Sequence, residues 1–79
     1  MRLDKYLKIS RLIKRRTVAC DACGAGRVKV NGEVRKAAYE VKPEDIIEIS
    51  FGETLVKVRV VSVEENVRKD DAKELYEYI

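Results

Sequence analysis

Residues 27–32, RVKVNG, mark the point where helical spacing of apolar residues gives way to alternation. Valines alternate with basic residues there, and a period of two predicts a half-buried β-strand. The Asn-Gly pair at 31–32 is a strong signal for a two-residue hairpin turn, in which both residues adopt positive φ. Residues 34–36 can form the short return strand. We therefore predict that a set of antiparallel strands begins at this point of the chain.

Two short helices are predicted before this strand. Residues 2–10, RLDKYLKIS, place two leucines and a tyrosine on one face, as an amphipathic helix does. A basic connector follows at 11–16, RLIKRR, and Thr17 is a suitable N-cap for a second helix over 18–24. The glycines near position 24 can end that helix, because glycine adopts the left-handed conformation without steric cost.

Strands dominate the second half of the chain. Residues 46–51 and 54–63 alternate apolar and polar side chains, and the Gly-Glu pair between them predicts a second hairpin. Residues 42–45, KPED, predict a turn with proline at its second position. Residues 70–78, DDAKELYEY, predict a short C-terminal helix with Ala72 and Leu75 facing inward.

Helices followed by antiparallel strands indicate an α+β fold, with two N-terminal helices packed on a small sheet and a short C-terminal helix. A chain of 79 residues allows one small domain. We expect a single folded domain at 1–66 and a helical tail at 67–79. No apolar stretch approaches the roughly 20 residues of a membrane helix, so we expect no membrane partner and a cytoplasmic location.

The basic residues are concentrated in one half of the chain. Residues 1–36 contain eleven Lys or Arg and three acids, a net charge of +8, whereas residues 37–79 carry −5. Such a local excess favours a polyanion as the partner. Two alternatives remain open, a solvated charged face and an adaptor whose basic face meets an acidic protein. The acidic half is expected to face away from the polyanion or to contact a protein.

Enzymatic chemistry is not indicated. The chain has no histidine, the most common general base and zinc ligand, and no glycine-rich nucleotide loop. Cys20 and Cys23 form an isolated C-x-x-C, with no further Cys or His to complete a zinc site. We predict that both cysteines act as small apolar residues of the second helix, and we expect no cofactor. A redox or metal protein and an RNA-modifying enzyme are the less favoured alternatives.

The motifs RLDKYL, SRLIKRR and GRVKVNG, in this order, resemble the alpha-L RNA-binding motif, the domain named after small-subunit ribosomal protein four. The resemblance covers roughly residues 1–51. Among free-standing members, the block at 2–16 resembles the ribosome-associated heat-shock protein. The block at 2–17 with VKPEDIIEISFGETLVKVRV is more similar to the group of ribosome quality control protein P, along the whole chain.

This resemblance implies a non-enzymatic factor that binds stalled large ribosomal subunits through rRNA and peptidyl-tRNA. It further implies support of C-terminal alanine tailing of the nascent chain together with an RqcH-type tailing factor. A heat-shock-type factor, which binds free large subunits with a nascent chain, is the alternative. We expect a monomer. The family assigns no function to Cys20 and Cys23.

The candidate RNA-binding residues are the basic side chains of the N-terminal half. Arg2 and Arg16 are the first candidates, because a guanidinium binds phosphate in a fork and stacks on exposed bases. We expect Asp4 to orient Arg2 or Arg11 rather than to contact RNA. Tyr6 and Tyr39 are expected to pack in the core. The further predicted RNA contacts are Lys5, Lys8, Arg11, Lys14, Arg15, Arg27, Lys29 and Lys36.

Overall fold

The computed structural model describes residues 1–65, 72 and 74–79. They form an α+β fold, as predicted, with elements α1 (Leu3–Ile9), α2 (Arg16–Gly24), β1 (Val28–Val30), β2 (Glu33–Val34), β3 (Ile46–Phe51), β4 (Thr54–Val60) and β5 (Tyr76–Tyr78). The strands make one antiparallel sheet in the order β2-β1-β3-β4-β5. The two helices precede the sheet in the chain, and they cover one of its faces.

The core lies between the helices and the inner face of the sheet. Antiparallel pairing places Val30, Ile47 and Val58 side by side across β1, β3 and β4, and all three are buried. Leu3, Tyr6 and Leu7 of α1 and Ala19 and Cys23 of α2 pack into the same cluster. The period of two in the strands and the helical spacing in α1 therefore bury one face of each element, as predicted.

The first hairpin has the geometry that Asn-Gly favours. Asn31 and Gly32 have φ of 53° and 84°, and Val30 pairs with Glu33 across the two-residue turn. Both φ values are positive, as in a type I′ turn, and its twist matches that of the flanking strands. The turn thus fixes the register in which the valines of β1 face the helices.

Two local predictions are wrong. Thr17 does not cap α2, because Arg15 is the extended residue at its start (φ −119°, ψ 136°) and Arg16 already belongs to the helix. The C-terminal helix predicted for 70–78 is wrong for Tyr76–Tyr78, which form β5 and pair with Val58 and Val60 of β4. A free strand edge at β4 offers main-chain hydrogen bonds that outweigh the helical spacing of so short a segment. The rest of that prediction includes residues outside the described part of the chain.

The C-terminal segment is attached to α1. The buried Tyr6 hydroxyl donates a hydrogen bond of 2.6 Å to the carbonyl oxygen of Leu75. Leu75 and Ala72 are themselves buried, as predicted. Tyr6 therefore lies in the core, also as predicted, and joins the first helix to the last strand across most of the chain.

Candidate nucleic-acid interface

A buried carboxylate joins the start of α1 to the start of α2. Asp4 is only 3% exposed. Its Oδ1 accepts from Arg2 Nε at 3.2 Å and from the backbone N–H of Lys5 at 2.9 Å. Its Oδ2 accepts from Arg2 Nη2 and from Arg16 Nε, both at 3.4 Å. The chain therefore brings its two first RNA-binding candidates to one carboxylate, although fourteen positions separate them in the sequence.

The two guanidinium groups are held at one end and open at the other. The side chains of Arg2 and Arg16 are 51% and 48% exposed. In both, the Nε–H lies on Asp4, so at least one terminal nitrogen of each remains available to donate outward. Two half-exposed guanidinium groups paired with one buried carboxylate suit phosphate oxygens, which accept bidentate hydrogen bonds from such a fork. Asp4 orients Arg2, as predicted, and its second partner is Arg16 instead of Arg11.

Five more basic residues lie between Arg2 and Arg16 in the sequence. Residues 1–16 contain seven basic side chains and a single acid. Lys5 is half-buried and forms an ion pair of 3.3 Å with Glu65, so its charge is partly neutralised. Arg11 ends the turn after α1 with a positive φ of 64°. The exposed members are Lys8, Arg11, Lys14 and Arg15.

The predicted contacts of the strand region are all exposed, and one of them lies on the outer face of the sheet. Lys29 lies on the outer face of the sheet, between Val34 and Glu48 in the register, while its neighbours in β1 face the helices. The structure therefore does not bring Lys29 together with Arg2 and Arg16. Arg27 and Lys36 are exposed in the connections before β1 and after β2.

Arg35 contributes to the positive charge of the N-terminal half but is not among the predicted RNA contacts. Its guanidinium lies 5.1 Å from the centroid of the Tyr39 ring and forms an ion pair with Glu33. Tyr39 is half-buried, and its hydroxyl donates a long hydrogen bond of 3.4 Å to Asp45. Burial and the Asp45 carboxylate raise the pKa of Tyr39. Residues 35–39 lie between β2 and β3 in no helix or strand, so no periodicity in the sequence indicated this contact.

The acidic half contains ion pairs of its own. Arg59 on the outer face of β4 donates to Glu44 at 2.7 Å and also pairs with Glu77 of β5. These two glutamates raise the pKa of Arg59. Asp45 accepts from the Asn31 side chain at 3.1 Å and from the backbone N–H of Lys42 at 3.0 Å. These carboxylates therefore pair with groups of the fold itself and connect the strands to the neighbouring turns.

The two cysteines differ in their surroundings. Cys20 is exposed, whereas Cys23 is 2% exposed and packs in the core. Burial, with the nearby Asp4 charge, raises the pKa of the Cys23 thiol to about 11. The prediction of a small apolar residue is therefore right for Cys23 and wrong for Cys20. Among residues 1–65, 72 and 74–79, no group of three potential ligands could hold a metal ion.

No helix within the described residues has the length and apolar character that crossing a bilayer requires.

Comparisons with known proteins agree on a single group. A family model of the S4 domain matches residues 1–47. The chain is 56% identical over 77 residues to the RQC P-site tRNA stabilizing factor of Halalkalibacterium halodurans, covering 98% of this chain and 88% of that protein. It is 49% identical over 79 residues to the factor of the same name from Streptococcus pneumoniae, covering 100% of this chain and 90% of the relative.

Solved structures with the same fold include a heat-shock protein. The trimeric structure of Vibrio cholerae Heat Shock Protein 15 superposes with a TM-score of 0.92 at 26% identity, covering 100% of this chain and 81% of that chain. The solution structure of a hypothetical protein gives a TM-score of 0.84 at 32% identity and covers 100% and 96% of the two chains. The similarity to both therefore extends over the sheet as well as the helices.

Proposed function

This chain belongs to the S4-domain family of RQC P-site tRNA stabilizing factors, and on that premise we propose how its N-terminal surface works. It is a non-enzymatic RNA-binding protein of ribosome quality control. We propose that it binds stalled large ribosomal subunits, contacts their rRNA and the peptidyl-tRNA in the P site, and supports C-terminal alanine tailing with an RqcH-type factor. It would act as a monomer in the cytoplasm, bound to the ribosome.

The observation that carries this proposal is the pair of guanidinium groups on Asp4. Arg2 and Arg16 are each about half exposed, and each is held through its Nε. An arginine of fixed orientation loses less side-chain entropy when it binds a phosphate, so affinity rises for the same contact. The pair therefore supports a site for the phosphate backbone of structured RNA.

The remaining basic residues supply the surrounding field. Lys8, Arg11, Lys14 and Arg15 are exposed on α1, on the connector and at the start of α2. The N-terminal amides of α2 point in the direction of this connector and add a partial positive charge. We propose that these residues attract the RNA, with Lys5, Arg27 and Lys36 as further contacts; Lys29 is left out, because it shares the outer face of the sheet with Lys57.

The test compares two basic residues on different parts of the molecule. Arg16→Ala removes one of the oriented guanidinium groups, whereas Lys57→Ala removes an exposed charge from the outer face of β4. Binding to purified large subunits that carry peptidyl-tRNA is measured by co-sedimentation at fixed salt. We expect Arg16→Ala to lose about 1–3 kcal/mol of binding free energy, roughly a fivefold to 150-fold loss of affinity. Lys57→Ala should change affinity by less than about twofold.

Thermal unfolding of both variants is the control. An Arg16→Ala variant that binds normally, together with a Lys57→Ala variant that does not, would place the RNA-binding surface on the outer face of the sheet. Equal losses in both variants would indicate unspecific charge attraction.

The tailing role needs an experiment of its own. Stalled large subunits are incubated with an RqcH-type factor and alanyl-tRNA, with and without this protein, and the length of the alanine tail is measured. We expect longer tails with the wild-type chain and shorter tails with Arg16→Ala. Tails of equal length in all three reactions would contradict the proposed cooperation while leaving RNA binding intact.

The superposition with Heat Shock Protein 15 favours a second candidate, a heat-shock-type factor that binds free large subunits with a nascent chain. The two candidates differ in their dependence on the tailing factor. If an RqcH-type factor increases retention of the chain on stalled subunits, the first candidate is supported. Sedimentation of the free protein tests the monomer against the trimer in which Heat Shock Protein 15 of Vibrio cholerae was solved.

A further inference from the structure

An acidic side chain in the centre of a surface that binds polyanions is unfavourable by simple electrostatics. Asp4 repels any phosphate that approaches Arg2 and Arg16, and its burial removes the carboxylate from water. The structure nevertheless keeps it at this position, 3% exposed, with the backbone N–H of Lys5 and both guanidinium groups as donors. Its contribution must therefore come from what it does to its partners.

The hydrogen bonds use a particular side of each arginine. Asp4 Oδ1 and Oδ2 accept from the Nε–H groups of Arg2 and Arg16, and Arg2 adds one bond from Nη2. Of the donors that this leaves, Nη1 of Arg2 and both terminal nitrogens of Arg16 lie at the ends of half-exposed side chains. Holding each arginine by its Nε directs the opposite edge of the guanidinium outward.

We propose that Asp4 is a positioning residue for RNA binding, and that its carboxylate sets the guanidinium groups of Arg2 and Arg16 at one spacing for phosphate oxygens. The inference rests on the RNA-binding role proposed above and deepens it. Because the carboxylate belongs to α1 and one of its partners to α2, the same contact also fixes the relative position of the two helices at this point. The buried Cys23 of α2 packs in the same core cluster as Leu3 and Leu7 of α1, so apolar contacts also join the two helices.

The direction of the effect separates positioning from electrostatics. Asp4→Asn removes a negative charge and makes the protein more basic, so a carboxylate that only repels RNA predicts tighter binding in the variant. A positioning role predicts weaker binding, because an amide holds the two cations less firmly. We expect affinity for large subunits carrying peptidyl-tRNA to fall about tenfold. The slope of log affinity against log salt should become shallower, by less than the roughly 1.5 that complete loss of two phosphate contacts would give.

Glu77→Gln is the matched control. It changes a carboxylate to an amide beside another arginine, Arg59, and alters the net charge by the same amount at the far edge of the sheet. We expect its affinity to stay within about twofold of the wild type, as for an ordinary surface substitution. A tenfold loss in this control would show that such charge changes weaken binding wherever they occur, and it would overturn the proposal.

Lysine variants of the two arginines give a test that does not alter the buried position. Arg2→Lys with Arg16→Lys keeps the net charge, but lysine has no Nε–H and no fork. We expect this pair to lose at least about tenfold in affinity, and Asp4→Asn added to it should change affinity by less than about twofold. If the double lysine variant binds like the wild type, the positioning role is wrong. This test applies even if Asp4→Asn does not fold.

Binding by the wild type and by Asp4→Asn distinguishes a failure of the proposed RNA-binding function from a failure of the proposed role of Asp4. If the wild-type chain does not bind the subunits, the proposed function fails. If the wild type binds and a folded Asp4→Asn binds equally well or more tightly, only the role of Asp4 fails. Thermal unfolding of each variant is measured in the same buffer.

Discussion

The hydroxyl of Tyr6 offers a direct test of how the C-terminal strand is attached to the first helix. Tyr6 is fully buried in α1, and its hydroxyl donates to the Leu75 carbonyl at 2.6 Å, just before β5. Burial raises the pKa of this hydroxyl well above its ordinary range, so it remains a donor at all working pH values. Tyr6→Phe removes the donor and keeps the ring.

The expected magnitude follows from the other partners of the same carbonyl. The Leu75 oxygen also accepts from the backbone N–H groups of Val61 at 2.8 Å and Ser62 at 3.1 Å. It therefore keeps partners in the variant, and the larger penalty of an unpaired buried acceptor does not apply. We expect the free energy of unfolding to fall by about 0.5–1.5 kcal/mol, the net value of one hydrogen bond. For a domain of this size the melting temperature should fall by roughly 5 °C.

The assay is urea unfolding followed by circular dichroism, with hydrogen exchange of the Val61 amide as a local measurement. Tyr39→Phe is the control, because its hydroxyl makes a single bond of 3.4 Å in a half-buried position. We expect the control to change stability by less than about 0.5 kcal/mol, because the hydroxyl is neutral and water can replace its bond at a half-buried position. If Tyr6→Phe is no less stable than Tyr39→Phe, or if exchange at Val61 is unchanged, the attachment of β5 through Tyr6 is wrong.

Three further predictions concern thiols, pH and the hairpin. A thiol reagent at neutral pH should modify Cys20 in the folded protein and leave Cys23 unmodified, because only the former is exposed, as mass spectrometry can show. Since the pKa of Cys23 is raised from 9.0 to about 11, the unfolded chain loses this proton first, and stability should fall as pH rises from 9. Urea unfolding between pH 8 and pH 10 should show a smaller fall in Cys23→Ala than in the wild type; equal falls would contradict the assignment. Gly32→Ala should lower the free energy of unfolding by about 1 kcal/mol, because its φ of 84° is unfavourable for alanine although no atom lies near the added methyl group. A neutral result by thermal unfolding would contradict the turn geometry.

The strands and the first helix could be predicted because each has a local signal in the sequence. Asn-Gly fixes the first hairpin through two positive φ values, and the alternating valines of β1 then face the helices. The spacing of Leu3, Tyr6 and Leu7 likewise identifies the buried face of α1. In these segments the local conformational preference and the tertiary packing agree, so the pattern is sufficient.

The rest depends on contacts between distant segments. The three residues of β5 fit a helical spacing equally well, and only the free edge of β4 selects the strand. We expected Asp4 to orient Arg2 or Arg11, and Arg16 could not be predicted as a partner without knowing how α1 packs on α2. The position of Lys29 on the outer face likewise follows from the sheet register, and a count of charges along the sequence cannot reveal it.

The most direct test of the central claim is the affinity of the chain for large subunits with and without peptidyl-tRNA, measured across a range of salt concentrations. If the basic N-terminal surface binds phosphates of both rRNA and tRNA, affinity should be at least about tenfold higher when the tRNA is present. With roughly five phosphate contacts, log affinity should fall against log salt with a slope of about −3.5 to −4.5. Equal affinity for both kinds of subunit, or an affinity that does not change with salt, would contradict the account.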